Sequence, residues 1–173
     1  MTYKDQLLKQ REEKDSFFKN SKNSPLTEQQ KHSFNGLKHY PPNQQFRYQI
    51  ELKQYEQQNK IDMMTSKGIV QEYIRFGYVE FEVSSKIYSL TVFKQPNSDY
   101  LFVPFKDKTC GIETYDAGRY VELEKVSENM YLLDFNLAYN PYCAYNDNWI
   151  CPLTPFENRL EVEIRSGEKN FPE

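Results

Sequence analysis

Phe46-Arg47-Tyr48-Gln49-Ile50-Glu51-Leu52-Lys53 alternates apolar and polar side chains one by one. A period of two is what a strand with one buried face requires, because successive side chains leave the chain on opposite sides. The pattern recurs downstream: Val79, Phe81 and Val83 alternate with Tyr78, Glu80 and Glu82, and Tyr88, Leu90 and Val92 alternate with Ile87, Ser89 and Thr91. Ser84-Ser85 between them reads as a tight hairpin connection, although it lacks the glycine such turns prefer. Further strands are expected at 100–103, 120–126, 131–135 and 160–165, the last with Leu160, Val162 and Ile164 inward. Eight or so short strands separated by turns predict a mostly β (α+β) fold, an antiparallel β-barrel or sandwich.

Upstream of this pattern the period changes. Leu7, Leu8, Arg11, Lys14, Phe17 and Phe18 recur at helical spacing within residues 3–20. Thr27-Glu28-Gln29-Gln30 then offers a capping box for a second short helix ending near Gly36, and Pro41-Pro42-Asn43 closes the region. Residues 1–45 are therefore expected as a helical extension packed on the main body through Phe17, Phe18, Phe34 and Leu37, with 46–173 as the β domain of a single globular unit. The stretch 166–173 reads as a short ordered tail.

Composition narrows the function classes. Aromatic residues make up 16% of the 173, with 14 Tyr and 12 Phe, which suits pleated sheet. Lys and Arg number 22 against 25 acidic residues, so the basic excess or basic face of a nucleic-acid binder is missing. No window approaches the ~18 apolar residues of a membrane span, and Met1-Thr2-Tyr3-Lys4-Asp5 opens into charge without a signal-peptide core. The chain as it stands reads as cytoplasmic and monomeric; one trimmed of an export or lipid-anchor leader would look the same. Three cysteines cannot all pair, so reduced thiols are the simpler reading, with a single Cys143–Cys151 bridge left open.

Two stretches gather side chains that carry chemistry. Between 107 and 120, Glu113, Thr114, Tyr115 and Arg119 stand beside Gly111 and Gly118. Arg119 presents a planar fork suited to an anionic ligand group, and the same fork could instead pair with Glu113 or Asp134 to fix the loop. The run 134–151 is irregular yet rich in aromatics, with Asp134, Asn136, Tyr139, Asn140, Tyr142, Tyr145, Asn146 and Trp149 around Pro141 and ending before Pro152. Amides and phenols suit a small polar ligand, and they equally suit the backbone of a loop without a ladder. The leading expectation is a binding site for a small polar or anionic ligand at the mouth of a barrel, formed by Arg119, Glu113, Tyr115, Asp134, Asn136, Tyr139, Asn140 and Tyr142. A hydrolase using Glu113, Asp134 or Glu157 as acid or base in that cavity is the alternative, and a polar structural network without ligand is the third.

Metal and cofactor sites are not expected. Asp107, Glu113 and Asp134 lack calcium-loop spacing, Cys143 and Cys151 lie eight apart without a Cys-x-x-Cys pair, and the six glycines form no phosphate loop. The only histidines, His32 and His39, lie in the extension, away from any cysteine in sequence.

Several phrases coincide along the chain: Phe17-Phe18, Ser24-Pro25-Leu26, Gly36-Leu37 before Tyr40, Thr65-Ser66-x-Gly68, Phe102-Val103-Pro104-Phe105-x-Asp107-x-Thr109, Glu113-Thr114-Tyr115 leading to Gly118-Arg119-Tyr120, the run 134–146, and Glu157-Asn158-Arg159-Leu160. Together they resemble a bacterial family named only as domain of unknown function 1684. The resemblance implies one β-rich domain with a helical amino-terminal extension, and it implies no activity.

Overall fold

The computed structural model describes residues 1–171. Helix α1 (Tyr3–Asn20) starts at a capping box in which Thr2 and Asp5 satisfy each other's backbone amides at 3.1 and 3.0 Å. Helix α2 (Glu28–Ser33) starts at the expected Thr27–Gln30 box and ends before Phe34, short of Gly36. Nine strands follow among the described residues: β1 (Arg47–Glu51), β2 (Lys53–Gln54), β3 (Lys60–Met64), β4 (Val70–Val83), β5 (Lys86–Lys94), β6 (Leu101–Phe105), β7 (Arg119–Val121), β8 (Leu123–Lys125) and β9 (Met130–Asp134).

All ladders between these strands are antiparallel, and they form two sheets. One runs β1-β9-β8, and the other runs β2-β4-β5-β6-β7 with β3 also on β4. The chain passes from one sheet to the other at single residues, Leu52 between β1 and β2 and Glu122 between β7 and β8. The ladders do not close on themselves, so of the two expected architectures the molecule is a sandwich and not a barrel. Between the sheets, Ile50, Leu52, Val79, Phe81, Leu90, Val92, Val103, Phe105, Leu133 and Phe135 form the main core, including the inward positions that alternation marks out in 46–53, 79–83 and 88–92.

Local geometry explains two departures from regular strands. β4 is 14 residues long and must serve β3 and β2 in turn; its register shifts between Arg75 and Gly77, where a Cβ on Gly77 would stand 2.4 Å from the Lys53 carbonyl oxygen. Ser84 and Ser85 both take positive φ, 51° and 66°, so the two-residue hairpin is built with serines in the backbone conformation that glycine adopts freely.

The segment 160–165 is not a strand. Leu160 and Ile164 are buried as expected, but the segment's hydrogen bonds go to the Lys106 carbonyl, to the Lys108 amide and, from the Ile164 amide, to the Asp107 carboxylate. A side chain takes the place of a ladder partner.

The helical extension docks through a mixed stripe, Tyr3, Leu7, Arg11, Lys14 and Phe18, spaced at three and four on one face. Leu7 and Phe18 are buried, whereas Leu8 and Phe17, which share the apolar period, are exposed. Phe18 joins Leu26 and Tyr145, with Phe34, Leu37 and Phe171 packed around them. No helix among the described residues is long and apolar enough to cross a membrane.

Candidate functional site

The residues expected at the site do not meet in one place. Arg119, on β7, is fully enclosed. Its guanidinium donates to the carbonyls of Ser166, Glu168 (3.1 Å) and Ile164 (2.9 Å) and pairs with Asp107 at 3.4 Å, while Phe105 lies under its plane at 5.1 Å. The partner is thus Asp107, neither Glu113 nor Asp134, and the acceptors a ligand would have supplied come from the chain itself. An enclosed guanidinium whose two terminal nitrogens are taken up by the chain's own acceptors presents no open face to an exchanging anion.

Glu113 stands at the surface, held below the usual carboxylate range by the Tyr40 hydroxyl, with Arg165 at 3.6 Å. Asn136 pins residue 43, accepting from the Asn43 amide and donating to the Asn43 carbonyl, both at 2.8 Å. Asp134 caps the Phe135–Leu137 turn, accepts from Tyr3 at 2.6 Å and pairs with Arg47 at 3.7 Å. Glu157 pairs with Arg75 at 2.7 Å and accepts from Thr91. The three carboxylates considered for hydrolysis therefore answer to three different sets of partners, and only Asp134 borders the large cleft described below. Among the described residues no cluster of three or more His, Cys, Asp or Glu side chains could hold a metal ion.

Glu168 is a group that alternation and motif reading pass over. Its side chain is buried and accepts from Lys14, from the Asn140 amide at 3.0 Å and from the Tyr145 hydroxyl at 2.9 Å. It thereby ties α1, the irregular run and the tail together. His39 forms a backbone bridge to Glu168. Burial, then the charges of Arg11 and Lys14, lower its pKa to about 4, against the pull of Glu168. The folded protein holds this imidazole neutral while the unfolded chain binds a proton below about 6.5. Its contribution to stability is full above that pH and is lost as pH falls toward 4, by up to about 3 kcal/mol. Urea titrations between pH 7 and 4 check this: His39→Gln flattens the acid side of the stability curve, and an unaltered slope rejects the assignment.

Tyr139, Asn140, Tyr142 and Asp134 do meet, on the wall of an open cleft of about 950 Å³. Its floor is aromatic. Tyr73 from β4, Phe102 from β6 and Tyr120 from β7 pack as a small second core, with Phe102 and Tyr120 edge to face at 4.8 Å, and Tyr139 continues the row 5.9 Å further. Tyr142 and Trp149 close one side at 5.1 Å. At the mouth, Tyr100 and Tyr139 donate to one oxygen of Glu122, at 2.6 and 3.1 Å. Burial and Glu122 push the Tyr100 phenol up to about 12, and Tyr139 is raised further by burial and its Tyr100 contact.

Charge at this cleft is one-sided. Glu122, Glu124 and Asp134 border it against Lys14 alone, and Lys14 is already committed to Glu168. Asp134 is paired with Arg47, whereas no ion pair engages Glu122 among the described residues. Acidic side chains thus give the cleft a negative potential.

The comparisons agree on kinship and are silent on activity. The family model described as protein of unknown function (DUF1684) matches residues 32–169. A solution NMR structure of an uncharacterised protein from Haloarcula marismortui, an archaeal source, is 37% identical over 96% of this chain and 94% of its own, with a TM-score of 0.72. No curated protein matches. With most of its length covered by one family model, the chain belongs to DUF1684, a family of proteins of unknown function.

Proposed function

We propose that the protein binds a small organic cation with a planar or apolar body, seated on the aromatic floor with its ammonium group at Glu122. The observation that carries this reading is the Glu122 carboxylate, without a cationic partner among the described residues, oriented by two phenols at the edge of an aromatic cleft. Aromatic faces attract cations, and an apolar pocket with a few convergent polar groups is the usual form of a small-ligand site. The expected ligand-binding role is thereby kept, while its place moves from Arg119 to the cleft and its charge reverses.

Tyramine and 4-hydroxyphenylacetate carry the same ring and opposite charges, which makes them a direct test. A ligand of about ten heavy atoms at roughly 0.3–0.5 kcal/mol per atom binds with Kd on the order of a millimolar, within reach of NMR titration. Tyramine is expected to bind at least about tenfold more tightly than the carboxylate, a difference of about 1.4 kcal/mol. Glu122→Gln, at an exposed position, should erase that preference without altering the fold. Equal binding of the two probes, or an unchanged preference in the variant, rejects the reading.

A further inference from the structure

Cys143 and Cys151 lie eight positions apart, and the fold brings the Cys151 sulfur against the Cys143 backbone. The Cys143 amide, in the Tyr142–Ala144 turn, donates to the Cys151 sulfur at 3.3 Å. Cys151 is in turn fastened to Ser66, whose amide donates to the Cys151 carbonyl at 2.9 Å and whose hydroxyl accepts from the Cys151 amide at 3.1 Å. The Tyr115 hydroxyl oxygen stands 3.7 Å from the Cys143 sulfur. Cys151 is buried on the wall of the aromatic cleft, and Cys143 is half-buried beside it. The third thiol, Cys110, sits apart near Asp107.

We propose that Cys143 and Cys151 form a dithiol–disulfide centre on the cleft wall that exchanges with small-molecule disulfides, Cys143 attacking and Cys151 resolving. The Cys143 thiolate attacks one sulfur of R–S–S–R, forming Cys143–S–S–R and releasing RS⁻, which takes a proton from water. Cys151 then yields its proton to solvent and attacks the Cys143 sulfur, closing the intramolecular disulfide and expelling the second RS⁻. Two electrons pass from the protein pair to the small disulfide, and two thiols leave.

Electrostatics assign the roles in the same order. The Cys143 thiol is lowered to about 6, chiefly by the Cys151 S–H, against burial and with help from the Tyr115 hydroxyl. Cys151 is pushed up, first by its neighbour Cys143 and then by burial. Cys110 is raised above its usual 9, first by burial. The lowered Cys143 thiol carries more thiolate at pH 7 than the raised Cys110 thiol, and the thiolate is the attacking form. What the histidines could not supply in sequence, the second cysteine and Tyr115 supply in space.

The full chain with oxidised glutathione as probe tests this. In reduced wild-type protein, iodoacetamide should modify Cys143 several-fold faster than Cys110 at pH 7, with its half-maximal rate at a lower pH than that of Cys110. Incubation with oxidised glutathione should give a Cys143–Cys151 disulfide by peptide mapping, and Cys151→Ser should stop at glutathione on Cys143. Equal alkylation of Cys143 and Cys110 overturns the proposal. So does a wild-type mixed disulfide that never closes.

Discussion

Arg119→Met is expected to cost about 3–5 kcal/mol, the range for removing one partner of a buried charge pair. Methionine fills a comparable volume, so the loss comes from electrostatics and not from a cavity. The Ser166, Ile164 and Glu168 carbonyls would lose their donor, and the Asp107 carboxylate would stay buried opposite no charge. Asp107 would still accept from Thr109 and the Ile164 amide, which caps the loss below that of a fully orphaned ion. Arg119→Lys keeps the charge but gives up the planar fork that reaches three carbonyls at once, so it should fall between wild type and methionine. Urea unfolding of the three proteins checks the order. A methionine variant within about 1 kcal/mol of wild type, the range of an ordinary hydrogen bond, would mean the guanidinium is no clamp.

Gly167→Ala is expected to cost about 3 kcal/mol or more, from two separate sources. Gly167 has φ +81°, where a side chain adds about 1–2 kcal/mol of backbone strain. A Cβ there would also stand 2.7 Å from the Phe135 carbonyl oxygen and 2.8 Å from the Ala138 Cβ and carbonyl oxygen, mostly backbone that cannot swing aside. Gly68 provides the control, since it shares a positive φ of 75° but has nothing within 4 Å of its added Cβ. Gly68→Ala should therefore show the strain alone. If thermal unfolding places both variants together, the tight seat of Gly167 beneath the irregular run is not what holds the tail.

The strands were legible where one face is buried and the other wet, as at Ile50 and Leu52 or Val79 and Phe81, because burial imposes the alternation directly. β3 was not, since Lys60-Ile61-Asp62-Met63-Met64 carries one fully buried residue and an otherwise polar or exposed surround. Leu160, Val162 and Ile164 alternate as a strand would, and no sequence rule shows that Asp107 replaces the ladder there. The cleft was half visible. Tyr139 and Tyr142 stand out in an irregular run, but Tyr73, Phe102 and Tyr120 sit in strands where an aromatic ring looks like ordinary core. Arg119 misled for a related reason: an arginine beside glycine reads the same whether its acceptors belong to a ligand or to a segment some 45 residues away. Glu168 gave no signal, because a carboxylate in a charged tail is usually solvated.

The Lys14–Glu168 contact joins residues 154 apart, and Tyr3–Asp134 joins residues 131 apart. Such separations give the docked helix a high contact order. At about 5–20 residues per second of synthesis, α1 waits on the order of ten seconds before its last partner exists. For that interval Leu7 and Phe18 are uncovered on a helix that cannot dock, and such a helix takes most of its stability from tertiary packing. The nascent chain therefore carries this uncovered apolar stripe throughout that interval, and α1 is where a holdase that recognises short amphipathic stretches would grip it.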